Sequence, residues 1–324
     1  MRRRHLVIAL VLATMVTLGF GIAPAIRQET PKFEIGLIGD IPYDAEQQRK
    51  TGVLFEQMDQ SELAFVAHVG DIKSGDSPCT DEVFFREKER FDNSANPLIY
   101  VPGDNEWTDC YRTGYDPLER LERLREIFVV GDESLGEKTI PLTRQSIDYP
   151  ENVRWTYGAV TFLGLNVPGD NNNREQAPDE YVARNEADLE WMREAFSRAE
   201  LDGSSAVMII MQANPGFDLS PENRTGYNDF LTALEEETIA FGKPVVLVHG
   251  DTHTHRIDKP MISATSGEEV ENFTRVETFG SPNVNWVRAT VDTSTPEVFA
   301  FQPELVDELP LLRVRQILRR YIVY

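Results

Sequence analysis

Four Gly-Asp pairs follow short apolar runs in this chain, and their carboxylates are the residues best suited to chemistry. They contain Asp40, Asp71, Asp104 and Asp251, and His253 follows the last of them. Each run is typical of a buried strand ending at a turn, and each Asp would project from the carboxyl edge of a sheet, where α/β proteins bind ligands. Carboxylates gathered at one edge repel each other and are costly to desolvate, so the pattern predicts a bound metal ion.

A single Gly-Asp pair has little weight, because the same dipeptide is a common surface turn. It also occurs in this chain at Gly75, Gly131 and Gly169. The prediction of a metal site depends instead on the ordered series, in which every member follows a β-rich run and helical segments lie between them.

The segments between the motifs predict the elements that position them. In the first half, apolar runs alternate with amphipathic segments, which predicts strands at 33–38, 64–69 and 97–101 and helices near 45–59, 80–92 and 117–128. Such alternation favours right-handed crossovers and a mostly parallel sheet.

The second half of the chain predicts a mixture of hairpins and crossovers. Residues 153–166 indicate a hairpin that turns near Gly158, and residues 273–301 indicate antiparallel strands. Between them the pattern predicts helices near 179–199 and 227–241 and strands at 206–211 and 244–249. With no linker in the sequence, we expect one domain over 26–324, with two sheets facing each other and helices on both outer faces.

The ordered motifs resemble those of the calcineurin-like metallophosphoesterase superfamily over roughly residues 33–260. That family has Asp-x-His, Gly-Asp, Gly-Asn-His-Asp/Glu, a lone His and Gly-His-x-His, each after a strand. The resemblance implies an α/β fold, a four-layer αββα sandwich of two facing mixed β-sheets flanked by helices. It also implies a two-metal centre that hydrolyses phosphate esters, and it suggests that the last antiparallel strands complete the second sheet.

Several of the family's residues are replaced in the first three motifs. Asp40 matches the first Asp, but Pro42 stands where the family has its His. Asp71 matches the Asp that bridges two metals. Asp104 replaces the Asn ligand, and Asn105 replaces the His that assists the leaving group.

The last two motifs are also altered. Gln212 or Asn214 occupies the place of the lone His. Asp251 replaces the first His of the final motif and His253 matches the second, while an alternative register pairs His253 with His255.

The ligand shell implied by these matches is rich in oxygen. Its members are Asp40, Asp71, Asp104, Gln212, Asp251 and His253. Hard oxygen donors favour Mn²⁺ or Mg²⁺ over Zn²⁺, and we expect one or two such ions. A partly decayed site with one ion or none is the alternative, although decay would not retain four carboxylates.

Candidates for the remaining chemistry come from the same loops. Asn105 and His249 are the catalytic candidates, and Asn105 can donate a hydrogen bond but not a proton. Arg112, Asn166 and His255 are the candidates for binding substrate. The expected function is hydrolysis of phosphate mono- or diesters of small molecules; the alternatives are a catalytically impaired metal-binding module and, more weakly, a hydrolase of other esters.

The amino terminus differs from the rest of the chain. Three arginines at 2–4 precede an apolar stretch from Leu6 to Ile22, and Ala23-Pro24-Ala25 follows. This pattern is typical of a cleaved export signal, and its length also permits a retained membrane anchor. We therefore expect residues 1–25 to direct export, to the periplasm or outside the cell, or to hold the protein on a membrane.

The net charge of the chain limits the macromolecules that it is expected to bind. Without residues 1–25 the chain has 29 basic and 54 acidic residues, a net charge of −25, which disfavours duplex nucleic acid. No obligate protein partner is evident.

Two further features leave alternatives open. Cys79 and Cys110 either form a disulfide or remain buried thiols. The basic, apolar stretch 311–324 either packs on the domain or touches a membrane.

Overall fold

The central strands of this chain have apolar side chains on both faces, so they must be covered on both sides. The computed structural model describes residues 32–306. The expected export signal or anchor at 1–25 and the carboxyl-terminal stretch 311–324 lie outside these described residues. Within them, no helix is long and apolar enough to cross a membrane.

The elements follow one another in the alternating order that the sequence predicts. They are β1 (Phe33–Ile38), α1 (Ala45–Asp59), β2 (Leu63–His68), α2 (Asp81–Asp92), β3 (Leu98–Tyr100), α3 (Pro117–Phe128), β4 (Thr143–Arg144), β5 (Val153–Tyr157), β6 (Val160–Gly164), α4 (Gly169–Asn172), α5 (Pro178–Leu201), β7 (Ala206–Ile210), α6 (Asn228–Phe241), β8 (Val245–His249), β9 (Arg256–Asp258), β10 (Phe273–Glu277), β11 (Trp286–Val291) and β12 (Phe299–Glu304). Short 3₁₀ turns cover Thr108–Thr113 and Pro221–Asn223.

The strands form two mixed sheets. The first has the order β12-β11-β1-β2-β3, and the second has the order β4-β5-β6-β7-β8-β10-β9. In the first, β1, β2 and β3 are parallel. In the second, β6, β7, β8 and β10 are parallel. The β12 edge of the first sheet and both edges of the second sheet are antiparallel.

Three apolar layers show how the sheets and helices stack. Residues such as Phe65, Phe162 and Val248 fill the space between the two sheets. The opposite face of the first sheet is covered by α1, α2 and α3, and the opposite face of the second by α5 and α6. Because side chains alternate along a strand, each central strand contributes to two of these layers. The fold is therefore the expected four-layer αββα sandwich.

Local signals in the sequence explain where several helices begin and end. The Asp44 side chain accepts a hydrogen bond from the Gln47 backbone N–H at the start of α1, and Asp116 caps α3 in the same way before Pro117. Gly242 ends α6 in the left-handed conformation with φ of 62°. These caps account for the close agreement of predicted and observed helix ends.

The arrangement of the last strands differs from the sequence prediction. We expected antiparallel strands over 273–301 that complete the second sheet. Instead β10 lies parallel to β8, whereas β11 and β12 belong to the first sheet, where β11 pairs antiparallel with β1. The reason is the apolar face of β11, since Val287, Ala289 and Val291 all pack between the sheets beside β1. The short strands β4 and β9 were not predicted.

The layer between the sheets should dominate the stability of the fold. Phe162 is fully buried there, stacked on Trp155 at 5.3 Å between ring centroids. Phe162→Ala should lower the free energy of unfolding in urea by about 3–5 kcal/mol, because it leaves a cavity in a dense core. Leu201→Ala, at a position that is 76% exposed, is the control and should change it by less than about 0.5 kcal/mol. Equal effects of the two substitutions would contradict this assignment of the core.

Candidate metal centre

Three strands deliver carboxylates to the same edge through one kind of turn. Asp40, Asp71 and Asp251 follow β1, β2 and β8, and their φ angles are 54°, 59° and 77°. A positive φ is uncommon for any residue other than glycine and occurs mainly where the surrounding structure enforces it. These turns aim three side chains from two different sheets toward one another.

Asp40, Asp71 and His253 form the closest group of metal-ligating side chains in the part of the chain that is described. One ligand atom from each lies within 4.8 Å of the others. The His253 Nε2 is 3.6 Å from an Asp40 oxygen. Its Nδ1 is 2.8 Å from the Ser281 carbonyl oxygen, so Nδ1 carries the hydrogen and Nε2 keeps its lone pair toward the carboxylates.

Asp104 and Asp251 complete the carboxylate group. The backbone N–H of Asp251 donates to Asp40 at 2.9 Å. A Cβ placed on Gly169 would lie 2.8 Å from an Asp104 oxygen and 3.1 Å from an Asp251 oxygen. Only a glycine therefore fits where the 168–170 loop passes these two side chains, and all four aspartates face one region.

Burial and mutual repulsion make these carboxylates hard to ionise without a cation. Burial is the largest cause of the raised pKa of Asp71, and repulsion by Asp104, Glu106 and Asp40 adds to it. Burial also raises the pKa of Asp40 and raises that of Asp251 to about 7. Asp40 Oδ2 and Asp104 Oδ1 are buried and have no hydrogen-bond partner. Orphaned carboxylate oxygens and an oxygen-rich donor set fit a hard divalent cation.

Asn105 and Gln212 turn their amide groups toward Asp71. The Asn105 Nδ2 donates to Asp71 at 2.8 Å and to the Tyr43 hydroxyl at 2.9 Å. The Gln212 Nε2 donates to Asp71 at 3.3 Å, while its Oε1 accepts from the Gly169 N–H at 2.6 Å. Gln212 thus presents its NH₂ to the carboxylates and its oxygen to the backbone, the reverse of the orientation expected for an oxygen ligand. Asn214, the alternative at this place, approaches Asp251 only through its backbone N–H.

The region opens into a pocket of about 340 Å³. The pocket is lined by Tyr43, Asp71, Gly75, Asp76, Asp104, Asn105, Asp109, Arg112, Asp170, Asp251 and His253. Arg112, a predicted substrate-binding residue, is one of the lining residues. Its guanidinium is 2.5 Å from the buried Asp109 carboxylate.

Five of the predicted site residues do not line this pocket. Asp40 and Gln212 contact the pocket residues Asp251 and Asp71, whereas the other three lie apart from it. His249 is fully buried, with Nδ1 2.9 Å from the Gly250 oxygen, and burial lowers its pKa to about 3. Its side chain lies on the outer face of β8, as does that of Leu247, so it cannot reach a substrate. Asn166 is buried and donates to Glu151. His255 stacks on Phe279 at 4.2 Å between ring centroids and approaches the Glu277 carbonyl oxygen.

Other residues of the site were not selected from the sequence. Glu106 is fully buried and accepts from the backbone N–H groups of Asp71 and Gly103, which fixes the two loops against each other. Tyr43 donates to Asp71 at 3.0 Å. The sequence signal for Tyr43 is its closeness to Asp40, and that for Glu106 is its closeness to Asp104. Asp109 carries no sequence signal, and Asp170 belongs to a Gly-Asp pair that the sequence does not distinguish from a common surface turn.

A disulfide ties together two of the loops that build the pocket. Cys79 and Cys110 are bonded, with their Cα atoms 5.7 Å apart. Both sulfur atoms lie within 3.8 Å of the Asn105 carbonyl oxygen, which also accepts from Lys73 at 2.6 Å. The bridge therefore lies directly behind the Asp71 and Asp104 loops.

Comparison with known proteins gives distant structural likenesses. No family model and no curated protein matches the sequence. Among solved structures, the chain is similar to "GAP50 the anchor in the inner membrane complex of Plasmodium", at 12% identity and a TM-score of 0.47 over 90% of this chain and 95% of the other. It is also similar to PhoD, at 12% identity and a TM-score of 0.48 over 84% of this chain and 68% of the other. A third likeness is to 5′-nucleotidase from Candida albicans SC5314, at 11% identity and a TM-score of 0.46 over 89% of this chain and 56% of the other. Likeness at this level says nothing about activity, which has to be inferred from the site itself.

The raised carboxyl pKa values make metal binding pH-dependent. The folded metal-free protein holds protons that the unfolded chain has released, so its stability falls as pH rises from about 4 to 7. Mn²⁺ must displace those protons. The increase in melting temperature on adding Mn²⁺ should therefore be small at pH 5 and large at pH 8, measured by differential scanning calorimetry. Asp40→Asn should remove most of the increase, whereas the exposed-site variant Asp148→Asn should keep it. A shift that is independent of pH would contradict a carboxylate site.

Proposed function

We propose that this chain is a metal-dependent phosphoesterase whose carboxylate-rich centre holds one or two Mn²⁺ or Mg²⁺ ions. The observation that carries the proposal is the convergence of three buried aspartates, the half-buried Asp251 and one imidazole, with two orphaned carboxylate oxygens, at the edge of an αββα sandwich. The resemblance of the motifs to the calcineurin-like superfamily supports the same reaction class.

The proposed ligands divide between two neighbouring positions that share Asp71. Asp40 and His253 serve one position together with Asp71, and Asp104 and Asp251 serve the other. Gln212 would join the second position only after rotating its amide, which would break its bond to the Gly169 N–H. A bound divalent ion supplies charge neutralisation and a nucleophile that is active at neutral pH.

The pocket side chains perform the remaining tasks. Arg112 reaches the pocket with a guanidinium suited to phosphoryl oxygens. Asn105 and Tyr43 both line the pocket and both donate hydrogen bonds to Asp71, which holds its carboxylate in place. The His expected to protonate a leaving group is replaced by Asn105, and His249 lies outside the pocket. The substrate must therefore release a group that departs without strong protonation.

The alternative is a metal-binding module of the same fold that has lost catalysis. It is favoured by the loss of the leaving-group His and by the orientation of Gln212. The two functions differ in what they predict for substrates with good leaving groups. The phosphoesterase would hydrolyse these substrates, whereas the metal-binding module would not.

We further propose that the protein is exported, with residues 1–25 removed or retained as an anchor. The disulfide between Cys79 and Cys110 supports this compartment, because disulfides persist mainly outside the cytosol. Amino-terminal sequencing of the native protein should begin near Ile26 after cleavage. An intact Met1 in the membrane fraction would indicate the anchor, and an intact Met1 on a soluble cytosolic protein would refute export.

The enzyme proposal is tested by substrates that differ in leaving group. With Mn²⁺ present, an aryl phosphate should be cleaved faster than an alkyl phosphate. Asn105→His should improve alkyl phosphate cleavage more than aryl cleavage, by up to about 10²–10⁴-fold in kcat, because it restores a proton donor. Steady-state kinetics on both esters provide the measurement.

Two variants define the outcome of this test. Asp71→Asn should reduce both rates by more than about 100-fold, since Asp71 is shared by both proposed positions, and Asp148→Asn should leave them unchanged. If metal-loaded protein cleaves neither ester and Asn105→His gains nothing, the metal-binding module is the better description.

A further inference from the structure

The outer wall of the pocket carries more negative than positive charge. Asp76, Asp109 and Asp170 line it in addition to three of the proposed ligands, Asp71, Asp104 and Asp251. Among the described residues that line the pocket, Arg112 is the only Lys or Arg. Burial raises the pKa of Asp109 to about 7, so three carboxylates against one guanidinium leave this wall with a net charge between −1 and −2 near neutral pH.

One carboxylate oxygen of Asp109 offsets the positive charge of Arg112, and the other has no hydrogen-bond partner. The residue is only 1% exposed. One of its oxygens lies 2.5 Å from the Arg112 guanidinium, while its Oδ1 is buried and has no hydrogen-bond partner. A buried carboxylate oxygen without a partner is costly, and a positively charged ligand in this pocket would stabilise it.

Asp76 and Asp170 stand at the mouth of the pocket. Both side chains are exposed. Asp170 accepts a hydrogen bond from the Gln176 amide at 2.6 Å, a neutral partner that leaves its charge in place. Asp170 also follows Gly169, which touches Asp104 and Asp251, so the charged rim begins directly beside the proposed metal ligands.

We propose that this pocket selects phosphate esters whose alcohol or phenol part carries a positive charge, such as a quaternary ammonium group. The inference rests on the proposed function, because it assigns the phosphoryl group to the metal side of the pocket and the departing group to the outer wall. Arg112 meets the phosphoryl oxygens, and the three carboxylates face the cation.

The same wall disfavours esters with further negative charge, including nucleoside polyphosphates and inositol polyphosphates. A unit charge about 7 Å from one carboxylate changes binding by roughly threefold to tenfold at intermediate to high dielectric. Because the wall keeps a net negative charge, a cationic ester should exceed a matched anionic ester by about tenfold in kcat/KM.

Three aryl phosphates isolate this effect from leaving-group chemistry. They carry a 4-trimethylammonio, a 4-cyano or a 4-sulfonato group, whose phenols have similar acidity. At low salt with Mn²⁺, kcat/KM should fall in the order cationic, neutral, anionic. The differences should shrink as ionic strength rises toward 0.5 M, where screening shortens the reach of surface charges.

Matched variants identify the carboxylates responsible. Asp76→Asn combined with Asp170→Asn should reduce the cationic-to-anionic ratio by threefold or more. Asp148→Asn combined with Glu186→Gln removes the same charge from exposed sites that do not line the pocket and should leave the ratio unchanged. Equal loss in both double variants would mean that net charge alone is responsible, and would overturn the inference.

Binding measurements separate this inference from the proposed function. The corresponding trimethylammonio and sulfonato benzylphosphonates, which cannot be hydrolysed, are titrated calorimetrically into Mn²⁺-loaded protein. Hydrolysis without discrimination overturns the inference and leaves the phosphoesterase intact. Tighter binding of the cationic phosphonate without hydrolysis supports the inference and contradicts the enzyme. Absence of both hydrolysis and selective binding overturns both.

Discussion

Repulsion among buried carboxylates is the constraint on which the rest of this structure depends. Asp40, Asp71 and Asp104 are removed from water and placed close together, an arrangement that a protein tolerates only with compensation. Backbone N–H groups and amides supply part of it, through Asp251 N and the Asn105 side chain. A bound cation can supply the rest of the compensation. The same repulsion therefore lowers the stability of the metal-free protein and favours the binding of a metal ion.

The backbone around the site is shaped by the same requirement. A Cβ on Gly70 would lie 2.4 Å from the Gly103 nitrogen, so these two loops can approach only at glycine. Glu106 then binds both loops through their N–H groups, and the Cys79–Cys110 bridge holds them from behind. The geometry of the carboxylates is therefore held by contacts that do not themselves touch a ligand, as preorganised sites require.

Local patterns were sufficient to predict the helices and central strands. Alternating apolar residues and capping residues such as Asp44 and Asp116 act over a few positions, so a single sequence reveals them. The partner of a strand depends on contacts across the whole chain, and for this reason the sheet that takes β11 was predicted wrongly. At the site, the strand-end aspartates could be found because their position repeats. Asp170 could not, since its closeness to Asp104 comes only from folding, and Asp109 could not, because nothing in the sequence shows that its side chain faces the pocket.

Histidines illustrate the limit of reasoning from spacing alone. His249 and His253 are four positions apart and both lie near a strand end. One points into the outer layer of the sandwich and the other toward Asp40. Strand alternation alone would place both on the same face, but β8 ends at His249, and positive φ angles at Asp251 and His253 redirect the chain before the second histidine.

The direction of β1 determines how the molecule would present its pocket at a surface. Phe33 begins this strand next to Tyr157 and the Gly158 turn, at the end of the sandwich remote from Asp40. Six residues of strand separate the two ends by about 20 Å. If the anchor proposed above is retained, the chain would join the domain at that remote end. The pocket would then lie at the opposite end of β1 from the point of attachment.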